Sequence, residues 1–219
     1  MAIRLQFEEE LAKVKNHINE MSLSTKEALD RAIHILYQGN VQQAKQLIKD
    51  DKVIDLKEEE INEEAIGMIA KQQPVATDLR RLVVAIKISA DLERMADHTK
   101  NIAKATIHLG EDHGITIHPQ LREMGILAMD MVDLSIKAFE NEDITLAKKL
   151  AEMDDTMDKM YGEVVKELLE STAINPEQIQ HIMQMAYTAR YIERFADHIT
   201  NIGENVLYLV KGKNVDLNS

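Results

Sequence analysis

Between residues 11 and 36, the apolar and small positions Leu11, Val14, Ile18, Met21, Thr25, Ala28, Ala32 and Ile35 follow one another in alternating steps of three and four. That spacing draws one buried stripe along an α-helix. The run "QGN" at 38–40 interrupts the stripe. Asn40, with Gln43 three residues on, forms a capping box for a second helix, which the pattern carries to about Gln72. Pro74 opens or precedes a third helix, which ends at about Leu109. The stretch "GEDHGITIHP" (110–119) carries the weakest periodicity and is the best boundary in the chain. Three further helices are predicted over roughly 119–140, 143–171 and 176–211. Asp143 is a good N-cap for the middle one, and Asn175-Pro176 supplies a cap and a first-turn proline for the last. Short connections favour antiparallel neighbours. The expected fold is therefore all-α: six helices in two tandem, pseudo-symmetric three-helix bundles, residues 1–112 and 113–219.

The two triplets echo each other in sequence. "LERMADHTKNIA" (92–103) lies over "IERFADHITNIG" (192–203), with Glu93/Glu193, Arg94/Arg194, Ala96/Ala196, Asp97/Asp197, His98/His198, Asn101/Asn201 and Ile102/Ile202 identical. A second block repeats at an offset of 103, where "LYQGNVQQAKQLIKDDKVID" (36–55) matches "FENEDITLAKKLAEMDDTMD" (139–158) at Ala44/Ala147, Lys45/Lys148, Leu47/Leu150, Asp51/Asp154 and Asp55/Asp158. The change of offset falls near the two proline-containing turns, where a length change costs little. Two independent blocks in register are the mark of a duplicated unit.

Composition narrows what such a protein can do. The chain has no Cys, which removes disulfides, thiolate metal sites and Cys nucleophiles. It carries 26 Lys and Arg against 38 Asp and Glu, a formal charge of −12, and both halves are acidic. Such a balance argues against a nucleic-acid footprint. "MAIRLQFEEEL" lacks the apolar core of a signal peptide, and no apolar run approaches the roughly 20 residues that span a bilayer. A soluble protein without direct membrane insertion is expected.

The acidic residues are not scattered. Glu93 and Asp97, Glu193 and Asp197, Asp51 and Asp55, and Asp154 and Asp158 are each four apart, so each pair shares a helix face. Measured from a turn near residue 74, Asp55 and Asp51 lie about 19 and 23 residues before it, and Glu93 and Asp97 about 19 and 23 after. In a helical hairpin equal distances from the turn mean equal heights. In the second half the distances are about 16 and 20 before and 19 and 23 after, matched to within a turn. A single acidic pair on a highly charged helical protein is normally a solvated surface. Four pairs at matched heights in a duplicated frame point instead to two sites of four carboxylates. Such groups repel, and proton uptake, an inserted Arg or Lys, or a bound cation can offset the repulsion. Arg94 and Arg194, about 100° round from the neighbouring Glu, are placed to flank the sites. All-oxygen ligands favour Mg²⁺, Ca²⁺, Mn²⁺ or iron. His98 and His198 point away from the acidic face and suit an interface. Asn101 and Asn201 suit polar packing. The run Glu58, Glu59, Glu60, Glu63 and Glu64 reads as a solvated face.

"KQQPVATDLRRL" (71–82) leads into "DLERMADHTKNIA" (91–103), and "YIERFADHITNIGENVLYL" (191–209) repeats the theme. Together these resemble the PhoU family over nearly the whole chain. "KQQP" departs slightly from that family's usual basic-Gln-Pro form. The resemblance implies two three-helix bundles and multinuclear metal sites, with iron in some members and other metals such as zinc, manganese or magnesium elsewhere. By position the ligands carry over to Asp51, Asp55, Glu93 and Asp97, and to Asp154, Asp158, Glu193 and Asp197. It also implies a cytoplasmic negative regulator of phosphate uptake and signalling, homodimeric, whose partners are the ATPase subunit of a phosphate ABC transporter and a phosphate-sensing histidine kinase. The residues themselves show no nucleophile constellation, no Gly-rich phosphate loop and no basic pocket, which favours an adaptor. Two alternatives stand beside it: a carboxylate-bridged metal enzyme, and a structural dimer whose metals only fix helix packing. The enzyme reading lacks the Glu-x-x-His spacing of four-helix di-iron proteins, since His98 and His198 come five residues after Glu93 and Glu193.

Overall fold

A computed structural model describes residues 2–111, 113–174, 176–214 and 216–217. The elements are α1 (Ala2–Gln38), α2 (Val41–Asp50), α3 (Lys52–Gln72), α4 (Ala76–Leu109), α5 (Gln120–Asn141), α6 (Ile144–Ile174), a 3₁₀ turn (Pro176–Gln178) and α7 (Ile179–Lys211). Among the described residues there is no strand. Between α2 and α3 stands Asp51 alone, with φ −55° and ψ −31°, still right-handed helical. Its carbonyl accepts from Ile54 N–H at 2.8 Å as well as from Asp55 N–H at 3.3 Å, so the rod tightens by one 3₁₀ step without ending. Counted as rods, the described residues form six helices in two triplets: α1, α2/α3 and α4, then α5, α6 and α7.

The helix ends follow local chemistry. Asn40 Oδ1 accepts from Gln43 N–H at 2.9 Å, and Asp143 Oδ1 accepts from Thr145 N–H at 2.7 Å and Leu146 N–H at 3.3 Å. Both satisfy amide groups that a helix start leaves without carbonyl partners. Gly39 turns the chain after α1 with φ +65°, where a side chain would strain the backbone. α1 begins nine residues before the periodic stripe, because Phe7 extends the buried face. The expected cap Asn175 lies outside the described residues, as does Asp112 at the expected boundary; Pro176 opens the 3₁₀ turn ahead of α7.

The buried stripe of α1 is the one its spacing draws: Leu11, Val14, Ile18, Met21, Thr25, Ala32 and Ile35 are buried, and Ala28 is half-buried against them. In the repeated segments Leu92/Ile192, Met95/Phe195, Ala96/Ala196 and Ile102/Ile202 are buried in both halves. Buried hydroxyls hydrogen-bond back into their own helices: Thr25 to the Met21 carbonyl at 3.0 Å, Thr99 to that of Met95 at 3.2 Å, satisfying groups that burial would otherwise penalise. Each triplet packs its first and second rods against its last. The most extensive contact joins α4 to α7, and α1 also meets α5. Elements related by the repeat therefore face each other, as a two-fold relation requires. One continuous apolar core runs through both triplets. At its rim, Arg81 of α4 grips Glu142, at the end of α5, through Nε–Oε1 at 2.8 Å and Nη2–Oε2 at 3.2 Å.

Candidate metal centres

The first acidic set hangs on the α3–α4 hairpin. Asp51 stands at the kink between α2 and α3, and Asp55 lies one turn on. Glu93 and Asp97 face them from α4. Asp51 is buried, while Asp55, Glu93 and Asp97 are half-buried. A residue that the repeat pattern had not singled out sits among them. Lys100 Nζ lies 2.6 Å from Asp51 Oδ2 and 2.5 Å from Asp97 Oδ1, so one ammonium bridges the two helices. Burial pushes the Asp51 carboxyl up, the Lys100 hydrogen bond and charge pull it back, and Asp55 and Asp97 raise it further. Burial likewise raises Glu93, with Asp97 adding to it. Burial acts against the Lys100 charge, but the hydrogen bonds to Asp51 and Asp97 outweigh it and hold the ammonium charged. Arg94 is largely exposed, with Nε 3.7 Å from Glu93 Oε2, and flanks the set from its edge.

The second set hangs on the α6–α7 hairpin, where Asp154 and Glu193 are buried, Asp197 is half-buried and Asp158 is exposed. Here the position that corresponds to Lys100 is Thr200, a buried hydroxyl that donates to the Asp197 carbonyl at 2.7 Å. Arg190, three residues before Glu193 on α7, donates to Glu193 Oε1 at 2.6 Å. Asp154 Oδ1 and Glu193 Oε2 are buried with no hydrogen-bond partner. The electrostatic result differs from the first set. Burial, with the charges of Asp158, Asp197 and Glu193, pushes Asp154 up to about 7. Burial and Asp197 push Glu193 up to about 7 even with Arg190 beside it. Asp197 is raised by burial and by Asp158.

In both sets the carboxylates are close enough to feel one another's charge. Yet in neither do three ligand oxygens lie mutually within 4.8 Å. Among the described residues the group that meets that distance is His17, Glu60 and Glu64, on α1 and α3. Its Glu64 is already paired with Lys13, and His17 Nδ1 lies 3.0 Å from Glu64 Oε2. Spacing had marked Glu60 and Glu64 only as part of a solvated run, since their partner His17 comes from another helix. The donor chemistry of the second set, all oxygen and with two buried oxygens unpartnered, suits a hard cation. The first set already holds a cation of its own in Lys100.

The histidines lie at the contact between the triplets. The His98 and His198 rings stack with centroids 5.6 Å apart. Burial, with the charge of His198, lowers His98 to about 4. His198 Nδ1 approaches Asp91 Oδ1 at 3.1 Å, and the amides of Asn201 and Asn205 donate to the same carboxylate at 3.3 and 3.4 Å. Asp91 has Tyr191 as its repeat counterpart, so the duplicated pattern could not announce it.

The PhoU domain family model matches the chain twice, over residues 18–106 and 121–206. A phosphate-specific transport system accessory protein PhoU homolog of Aquifex aeolicus is 38% identical over 204 residues, covering 93% of this chain and 92% of its own length. The homolog of Clostridium acetobutylicum is 32% identical over 213 residues, covering 97% of each chain. Among solved structures, PhoU from Pseudomonas aeruginosa superposes with a TM-score of 0.88 at 31% identity, covering 94% of this chain and 100% of its own. The phosphate transport system regulatory protein PhoU from Streptococcus pneumoniae gives the same TM-score at 29% identity, covering 96% of this chain and 99% of its own.

Proposed function

This chain belongs to the PhoU domain family, and on that premise we propose that it is an accessory protein of phosphate-specific transport that acts as a negative regulator of phosphate uptake and signalling. The observation that carries this reading is the pair of family matches, one in each triplet, together with relatives named for phosphate-specific transport over almost their full lengths. The protein acts by contact and catalyses nothing itself. It works in the cytoplasm as a homodimer that engages the ATPase subunit of a phosphate ABC transporter and a phosphate-sensing histidine kinase. Among the described residues no helix is long and apolar enough to cross a membrane, so recruitment runs through protein contact. With a net charge of −12, its helix faces suit basic patches on those partners, and contact weakens as salt rises. Asp154, Asp158, Glu193 and Asp197 hold a divalent metal such as iron, zinc, manganese or magnesium. Asp51, Asp55, Glu93 and Asp97 form the corresponding first set. The metal supplies positive charge that joins the two helices of a hairpin.

The test is a co-purification of the tagged chain with the two partners at high and low phosphate, beside a deletion strain. Regulation by contact predicts phosphate-dependent capture and loss of phosphate repression on deletion. Unchanged phosphate-responsive expression with neither partner captured overturns it. A second reading, a carboxylate-metal hydrolase, draws on Asp154 and Glu193, whose proton affinities near neutrality suit acid–base work. Steady phosphoester turnover that vanishes in Glu193→Ala would establish that reading in place of the adaptor.

A further inference from the structure

The two carboxylate sets come from one duplicated frame, yet their counter-charges are built differently. In the first, Lys100 Nζ spans the cleft, 2.6 Å from Asp51 on the α2/α3 rod and 2.5 Å from Asp97 on α4. In the second, the corresponding residue is Thr200, which carries no charge and spends its hydroxyl on the Asp197 carbonyl. Arg190 does not replace the bridge. It stands three residues from Glu193 on the same helix, takes one oxygen of that residue, and keeps 39% of its side chain exposed. Its counterpart in the first half is Ala90. Across the second cleft, Asp154 and Glu193 are 6% and 7% exposed, and each keeps one buried oxygen without a partner. Those oxygens come from both helices of the hairpin. Buried carboxyl oxygens without a partner are costly, and a cation held between the helices would partner them. A cation entering the first cleft must first expel an ammonium that already makes two charge-assisted hydrogen bonds.

Resting on the metal reading above, we propose that the two centres are inequivalent: Lys100 is the built-in counter-cation of the first, and a divalent metal loads the second centre at concentrations that leave the first unloaded. Lys100 is thus a specificity-determining residue for metal stoichiometry, and the duplication carries one metal-responsive half and one half locked by its own side chain.

The full-length chain, stripped with a chelator, is titrated with Mn²⁺ while free Mn²⁺ is followed by electron paramagnetic resonance and heat by calorimetry. Wild type should bind Mn²⁺ in one centre, with that binding lost in D154N/E193Q and kept in D51N/E93Q. K100T, which copies the second half's residue, should open the first centre and tighten it on the order of 100-fold, the scale of removing a unit charge in direct contact with the ligands. K100M keeps the side-chain stem while removing the charge, so it gives the same gain if the threonine variant folds poorly. Equal loss of wild-type binding in D51N/E93Q and D154N/E193Q overturns the inequivalence but leaves metal binding standing. So does a K100M protein, folded by circular dichroism, whose stoichiometry is unchanged. Absence of Mn²⁺ binding in wild type and both Lys100 variants overturns the metal reading itself.

Discussion

Asp154 and Glu193 hold protons to about pH 7 because they are buried among other carboxylates. An acid whose folded pKa lies above its unfolded value binds more protons in the native state. Its stabilisation is therefore present at low pH and is lost as pH rises through the folded pKa. His98 works the other way below neutrality. Its folded pKa near 4 lies under the ordinary 6.5, so the unfolded chain takes up that proton first, and its contribution makes stability rise with pH between about 4 and 6.5. Above 6.5 the histidine is neutral in both states and the carboxyl groups dominate. The groups whose charges act on them are Asp155, Asp158, Asp197, Arg190 and Arg194. The urea midpoint of the metal-free protein should consequently fall between about pH 6.5 and 7.5 and level off above, and D154N/E193Q should flatten the decline. A midpoint that rises over that interval would show that these carboxyl groups are not held protonated by the fold.

At the scale of elements, two capping residues and one glycine give separable tests. Asn40→Ala and Asp143→Ala each remove a side-chain acceptor from the start of a helix. Each should cost about 1 kcal/mol, and glycine at the same position only a few tenths. For a chain of this size 1 kcal/mol corresponds to roughly 2–4 °C in melting temperature, and thermal denaturation by circular dichroism checks it. Gly203 on α7 faces α6 at close range. A Cβ there would stand 2.9 Å from Leu150 Cδ1 and 3.2 Å from the Ala147 carbonyl oxygen. The backbone oxygen cannot turn aside as a side chain can. Gly203→Ala gains about 1 kcal/mol of helix propensity but overpacks the contact at roughly 1–3 kcal/mol, so a lower melting temperature is expected. A higher one would mean that α6 yields. The counterpart Ala103 is fully buried and already carries its Cβ.

At the scale of the molecule, the apolar core passes without interruption from one triplet to the other, and the α4–α7 contact is the most extensive in the structure. Fully buried Leu92, Met95 and Ile102 of α4, and Ile192, Phe195 and Ile202 of α7, belong to that one core. Cutting the chain at the 110–119 connection would expose those faces to water at about 25 cal/mol per Å² of apolar surface. Differential scanning calorimetry of the intact chain should show one cooperative transition, and residues 1–111 alone should lack one. Two resolved transitions, or a first half that melts cooperatively by itself, would show instead that each triplet is self-sufficient.

Period-3.6 spacing, the caps Asn40 and Asp143 and the two offset repeats determine six helices, their order and their pairing into triplets. These are local or periodic properties, and a helix reports its buried stripe in its own residues. The acidic pairs were legible for the same reason, since i, i+4 spacing and equal heights on a hairpin are set along the chain. Only the tertiary structure decided that Lys100 reaches across to Asp51, that Asp91 gathers His198, Asn201 and Asn205, and that His17 meets Glu60 and Glu64. Those meetings join separate helices, and two of them involve residues that the repeat does not conserve between its halves. A repeat displays what the halves share. How the halves differ in charge depends on which side chains cross between helices, and that is fixed only once the helices have packed.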